Sequence, residues 1–142
     1  MMAEIPYCSF HLGNFLFGLE AARVQEVLRG APVTPIPLAA PGVVGMLNLR
    51  GQVVTVLDLK KRLGLEETGV EAPYCVILKD RQEWMGILVD QIGDVLTPPV
   101  DSFEPTPVHL SGETRQLMRG VFQLRKRILL CLDLDKALNF TG

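Results

Sequence analysis

The residues best suited by type to do chemistry are two aspartates in matching words, Leu57-Asp58-Leu59 and Leu132-Asp133-Leu134, and a basic run, Arg125-Lys126-Arg127, with Arg119 upstream. Two carboxylates can divide acid and base roles when their environments differ. Asp58 and Asp133, however, hold equivalent places in two copies of one motif, and that equivalence favours a repeated structural task. Each is expected to cap a short helix after its strand, a contact worth ~1 kcal/mol. The basic run has the composition of a phosphate-binding patch. Three charges at a hairpin tip are also an ordinary solvated turn, and aromatics for base stacking are lacking nearby.

Other catalytic arrangements lack their residues. No glycine is followed by lysine, so the phosphate-cradling Walker loop is absent, and no G-x-G-x-x-G follows a strand. With His11 and His109 as the two histidines, and neither H-E-x-x-H nor C-x-x-C, no metal-ligand spacing is present, and neither metal nor cofactor is expected. Ser9, Ser102 and Ser111 lie outside any G-x-S-x-G elbow. Cys8 and His11 are near in sequence, but three residues apart on a strand they face opposite ways. The expectation is a protein that is not an enzyme.

The elements that would position these residues are mainly strands. At 142 residues and 48% apolar composition, the chain is long enough for a real core. A formal charge of −2 gives no global footprint for nucleic acid or anionic membrane. The N-terminus has no basic region followed by an apolar run, and no stretch approaches the ~18 apolar residues of a membrane span, so a cytoplasmic protein is expected. Cys8, Cys75 and Cys131 are odd in number and set in apolar runs, which reads as buried free thiols.

Tyr7 to Leu12 and Phe15 to Leu19 flank Gly13-Asn14 and predict a hairpin; Tyr74 to Lys79 and Trp84 to Val89 repeat that plan around 80–83. Val53 to Leu57 and Arg127 to Leu132 are nearly continuous apolar runs, as expected of strands covered on both sides. A helical turn is expected after each LDL word, ending at Leu63-Gly64 and near Leu138. Pro98 to Pro107, with its four prolines, cannot be a central strand and reads as a crossing loop.

A duplication underlies this pattern. Gly45 to Leu63 and Gly120 to Leu138 align without a gap over 19 positions with eight identities: Gly45/Gly120, Leu49/Leu124, Arg50/Arg125, Leu57/Leu132, Asp58/Asp133, Leu59/Leu134, Lys61/Lys136 and Leu63/Leu138. A shorter echo precedes each, Phe17 to Leu28 with Met85 to Leu96. Units of this size are small for independent stability, so the two should pack together. The fold expected is mainly β: two SH3-like, five-stranded barrels packed together, with short helices. The division expected is 5–64 for the first barrel, a polar linker at 65–72 and 73–140 for the second, with the termini free to cross between barrels.

Gly45-x-x-Asn48-Leu49-Arg50-Gly51, the strand ending Leu57-Asp58-Leu59, and Leu63-Gly64 together resemble the signature of the CheW family of chemotaxis coupling proteins. Arg23-Val24-Gln25-Glu26-Val27, Gly86 to Asp90, and Gly120-Val121 with Leu132-Asp133-Leu134 are similar to further landmarks, and the resemblance covers essentially the whole chain. Two residues depart from the pattern. Thr55 stands where the family often has proline, restoring a backbone donor, and Lys126 replaces an acidic or small residue. Nothing like a receiver domain follows Gly142, so a stand-alone adaptor is expected.

The resemblance implies a non-catalytic bridge between the cytoplasmic tips of chemoreceptors and the regulatory domain of a CheA-type histidine kinase, meeting the membrane only through receptors and binding no nucleic acid. It implies a receptor-facing surface at Val24, Glu26 and Arg50, with Glu26 and Arg50 expected to form an ion pair. A kinase-facing surface is expected around Gly45, Leu47 and Val53, with core packing as the rival account of each. A barrel that binds nucleic acid or a nucleotide-like ligand is the second reading, and a small enzyme the third.

Overall fold

Successive side chains of a strand point to opposite faces, so a run that is apolar at every position must be covered twice. Two hairpins bury side chains on both faces, and the architecture follows from covering both. The computed structural model describes residues 4–30, 32–40, 42–60, 63, 65, 74–106 and 115–138. In chain order the strands are β1 (Tyr7–Leu12), β2 (Phe15–Glu20), β3 (Val24–Arg29), β4 (Val43–Leu49), β5 (Gln52–Leu57), β6 (Tyr74–Asp80), β7 (Glu83–Val89), β8 (Gln91–Leu96), β9 (Phe103–Glu104), β10 (Met118–Gln123) and β11 (Ile128–Leu132), and a one-turn helix α1 spans Leu134–Ala137.

They form two sheets, ordered β8-β1-β2-β11-β10-β9 and β3-β6-β7-β5-β4. The two curved sheets are the SH3-like pair expected, with one difference: the first has a sixth strand. That strand is the two-residue β9, a short paired edge within the proline-rich crossing loop. The sheets do not divide along the chain as 5–64 and 73–140. The β1–β2 hairpin joins β8, β10 and β11, while β6–β7 joins β3, β4 and β5. Most of the expected linker, 66–72, lies outside the described residues, as do 61, 62 and 64 of the first helical turn and Ser111 and His109.

The duplication is visible in this exchange. Matching β1 with β6, β2 with β7, β3 with β8, β4 with β10 and β5 with β11 turns one sheet order into the other. The parallel pairs also correspond, β5 on β7 and β11 on β2. So do the bulges: the β4–β5 register shifts between Val43 and Gly45, and the β10–β11 register between Met118 and Gly120. At each bulge another backbone crosses. A Cβ at Gly45 would fall on the Thr34 carbonyl oxygen, and one at Gly120 on Phe103 and the Glu104 carbonyl oxygen.

Each exchanged hairpin serves two cores. Phe10, Leu12, Phe17 and Leu19 meet Val76, Leu78, Ile87 and Val89 in a core between the sheets, joined by Val121, Leu130 and Leu132. The opposite faces fill the barrels: Cys75 and Ile77 pack with Leu47, Leu49, Val54 and Val56, and Leu16 with Tyr7, Phe122, Leu129 and Cys131. Truncating a Leu in the inter-sheet core to Ala should cost ~2–5 kcal/mol.

β11 is covered on both sides, as its sequence predicts. β5 is covered on both sides only at its far end, where Leu57 is buried; near the turn Val53 is 62% exposed, because the inter-sheet core does not reach it. Thr55 uses its backbone in a regular ladder, paired with Met46 on one side and Met85 on the other.

A buried ion pair crosses the junction. Lys60 Nζ lies 2.7 Å from Asp90 Oδ1, while Asp90 Oδ2 accepts a 2.8 Å hydrogen bond from the Gly13 backbone. Removing Asp90 leaves the Lys60 ammonium buried without its carboxylate, at a cost of ~3–5 kcal/mol, whereas removing Lys60 leaves Asp90 part-buried and still accepting from Gly13, at a smaller cost. Burial alone lifts the Cys75 thiol to about 11, and burial is the main cause that lifts Cys131 to about 12. All three cysteines are free.

Because each sheet borrows its central hairpin from the other half of the chain, residues 1–72 and 73–142 made separately should each show no dispersed amide NMR spectrum. Mixing them should restore a folded one-to-one complex. A half that folds alone would contradict this reading.

Candidate functional site

The β4–β5 turn carries the arginine that sequence reasoning singled out, and its conformation is unusual. Arg50 and Gly51 both have positive φ, +50° and +86°, the combination required of a two-residue type I′ hairpin. Glycine accepts such a φ without cost; arginine pays a modest one, as Arg81 and Gln82 do in the β6–β7 turn, and side-chain contacts brace this turn. Asn48 Oδ1 accepts a 2.9 Å hydrogen bond from the Gly51 backbone. Arg50 itself grips Glu26 with both arms, Nη2 at 2.6 Å from Oε2 and Nη1 at 3.3 Å from Oε1.

This contact spans the barrel. Glu26 is on β3 and Arg50 follows β4, and β3 and β4 are the two edges of the five-stranded sheet. Glu26 pairs with Ile77 in the β3–β6 register, so it shares the face that fills the barrel. A charge turned inward on an edge strand discourages pairing with a foreign strand, and Arg50 satisfies it from across the seam. The two-point hydrogen bond from Arg50 is the main influence on Glu26 and, with the arginine's charge, holds its carboxyl below the usual glutamate range, against a smaller opposing effect of desolvation.

The equivalent pair in the other barrel does not form. Arg125 lies in a four-residue loop, closed by the Leu124 N–H to Arg127 carbonyl bond, and no ion pair joins it to Asp94, the counterpart of Glu26. Asp94 instead uses its backbone carbonyl to accept the Ser9 hydroxyl.

The remaining expected site residues are placed unevenly. Val24 is half-buried and packs on the inter-sheet core. The register shift at Gln25 puts Val24 and Val27 on the same outer face, opposite Leu78 and Val76, and Val27 is the more exposed of the two. Gly45 and Leu47 offer no side-chain surface: Gly45 is buried under the Thr34 carbonyl and Leu47 belongs to the barrel core. Alternation along β4 is the cause, and it turns Met46 and Asn48 outward, beside Thr55 and Val53. Of the three expected kinase-facing residues, only Val53 is exposed.

Met46, Val27 and the Lys60–Asp90 pair were missed in the sequence. Strand alternation would have found Met46; a lysine after Leu59 gives no signal of burial. Asp58 Oδ1 accepts from the Lys60 backbone at 2.9 Å and Asp133 Oδ1 from the Lys136 backbone at 3.3 Å, the geometry of caps, with the two carboxylates committed to turn backbone. No group of three or more His, Cys, Asp or Glu side chains among the described residues is arranged to hold a metal ion.

Residues 6–141 match the model of the CheW-like domain family. The chain belongs to the CheW-like domain family. Among its relatives, a probable chemotaxis protein CheW of Rhizobium etli is 31% identical over 94% of this chain and 86% of the relative. A chemotaxis protein CheW of Treponema pallidum is 30% identical over 94% and 81%. The crystal structure of the scaffolding protein TtCheW of Thermoanaerobacter tengcongensis superposes with a TM-score of 0.87 at 26% identity, covering 99% of this chain and 96% of that one. The CheW-like fold thus supplies the frame on which the Arg50 turn and the Val53 face are presented.

The pair can be checked by titration. In Arg50→Ala the Glu26 carboxyl should titrate at a higher pH than in the parent, because the hydrogen bonds that favour its charged form are gone. Since Glu26 is lowered in the folded state, its favourable contribution is present at neutral pH and is lost as pH falls through that lowered value. Side-chain carboxyl NMR that finds no change on removing Arg50 would contradict the contact.

Proposed function

We propose that this protein is a non-catalytic chemotaxis adaptor that couples the cytoplasmic tips of chemoreceptors to the regulatory domain of a CheA-type histidine kinase. The observation that carries the reading is the exposed turn of the CheW-like signature, where Arg50, at positive φ, grips Glu26 across the open seam of one barrel. A side chain 70% exposed and held in a costly backbone conformation is poorly explained by stability, since surface ion pairs contribute little to it. Membership of the CheW-like domain family, and the chemotaxis and scaffolding names of its relatives, support the same reading.

In this proposal Glu26 and Arg50 present a charged, oriented pair to a receptor helix, with Val24, and Val27 beside it, giving apolar contact. The kinase domain meets the outward face of β4 and β5, at Val53 and Met46. Gly45 and Leu47 act from beneath: one lets the Thr34 backbone cross, the other fixes the strands. The protein sits in the cytoplasm on receptor arrays, and among the described residues no helix is long and apolar enough to cross a membrane. It transmits a signal only so far as its combined contacts with receptor and kinase differ in free energy between two receptor states, typically ~1–3 kcal/mol for allosteric coupling.

Arg50→Ala should leave Tm within about 3 °C of the parent while abolishing receptor-dependent kinase activation in a reconstituted receptor, adaptor and kinase assay. Loss of fold instead would make the pair structural. Leu47→Asp should fail to fold, because it buries an unpaired charge. Val53→Asp should fold and lose affinity for the isolated kinase regulatory domain; unaltered binding by it would remove Val53 from that surface.

A further inference from the structure

The basic run Arg125-Lys126-Arg127 has no part in the adaptor reading, and the fold gives it surroundings that the sequence does not reveal. The β10–β11 loop stands beside the β1–β2 turn, because β11 pairs in parallel with β2 and sets Leu129 opposite Leu16. Between loop and turn lies a cavity of about 700 Å3, lined in part by Asn14, Phe15, the three cations and Ile128. Small-molecule sites are commonly ~300–1,000 Å3.

Two properties give this cavity a chemical preference. First, it is electrostatically uncompensated: no Asp or Glu lines it, and none of the three cations belongs to an ion pair among the described residues. By contrast Arg23, Arg50, Lys60 and Arg119 are all paired with carboxylates. Second, the aromatic ring missing from the sequence neighbourhood is supplied by the fold, since Phe15 of β2 lines the same cavity as the loop. Arginine guanidinium groups bind phosphate oxygens with two donors each, and an aromatic ring stacks a planar base.

We propose that this cavity binds an organic phosphate of the nucleotide type, with the phosphates on Arg125, Lys126 and Arg127 and the flat ring against Phe15 and Ile128. The Asn14 amide is positioned on the cavity wall to hydrogen-bond a polar edge. A free small ligand fits better than a nucleic-acid strand. The cavity, though open to solvent, has small-molecule size, and a chain of net charge −2 provides no extended basic track for successive phosphates to follow. The site lies in the barrel opposite to the Arg50 turn, so it is independent of the adaptor reading.

The test is an amide NMR titration of the full chain at fixed ionic strength with ATP, pyrophosphate, adenosine and a short single-stranded oligonucleotide in separate arms. ATP should give saturable shifts centred on 11–16 and 123–130, with pyrophosphate and adenosine each binding more weakly. The double variant Arg125→Ala, Arg127→Ala alters exposed side chains and should weaken ATP binding by roughly tenfold or more. Phe15→Leu should weaken ATP but not pyrophosphate; because Phe15 also packs on the inter-sheet core, its Tm is measured alongside. The proposal is overturned by an absence of saturable ATP shifts, by an ATP affinity indifferent to the arginine pair, by pyrophosphate binding as well as ATP, or by the oligonucleotide binding more tightly than ATP.

Discussion

Two hairpins, Tyr7–Glu20 and Tyr74–Val89, bury apolar side chains on both faces, and each is covered by strands from the other half of the chain. The solution is reciprocal. Each hairpin becomes the central part of the other half's sheet, and the faces left over meet between the sheets. Everything else hangs on this arrangement. It fixes the parallel pairings of β5 and β11, brings Gly13 to the carboxylate of Asp90, and leaves β3 and β4 as the two edges that Arg50 and Glu26 join.

Duplication supplied two equivalent turns, and small differences gave them different uses. Asn48 and Gly51 close the first turn at two residues and direct Arg50 across the seam to Glu26. Lys126 and Arg127 accompany Arg125 in a longer loop of the second, where none of the three cations is in an ion pair among the described residues. The same arginine thus serves an ordered ion pair in one barrel and an open basic rim in the other. Local backbone geometry, rather than residue type, separates the two roles.

Much of this was legible in the chain. Gapless alignment of Gly45–Leu63 with Gly120–Leu138 gave the duplication, the Asp58 and Asp133 caps and the two bulge glycines a common explanation. The Glu26–Arg50 ion pair was expected from the places of the two residues in the CheW-like signature and is present. What stayed hidden depends on contacts between distant segments. Hairpin exchange has no local signal, because two-faced apolar strands say that cover is needed without saying whose. Leu47 and Val53 are both apolar, and only their register on β4 and β5 tells core from surface. Phe15 and Arg127 come to line one cavity through a parallel pairing that no periodicity announces.

The central claim is that Arg50 and Glu26 act by the surface they present and not merely by holding the barrel closed. The most direct test is the charge swap Glu26→Arg with Arg50→Glu, measured for Tm and for receptor-dependent kinase activation beside each single variant. The swap restores an ion pair of reversed polarity at the same seam. The account predicts that the swapped protein keeps a Tm near the parent's while receptor-dependent activation stays lost, because the receptor meets the wrong charges. Recovery of activation by the swap would contradict it and reduce the pair to a structural clasp.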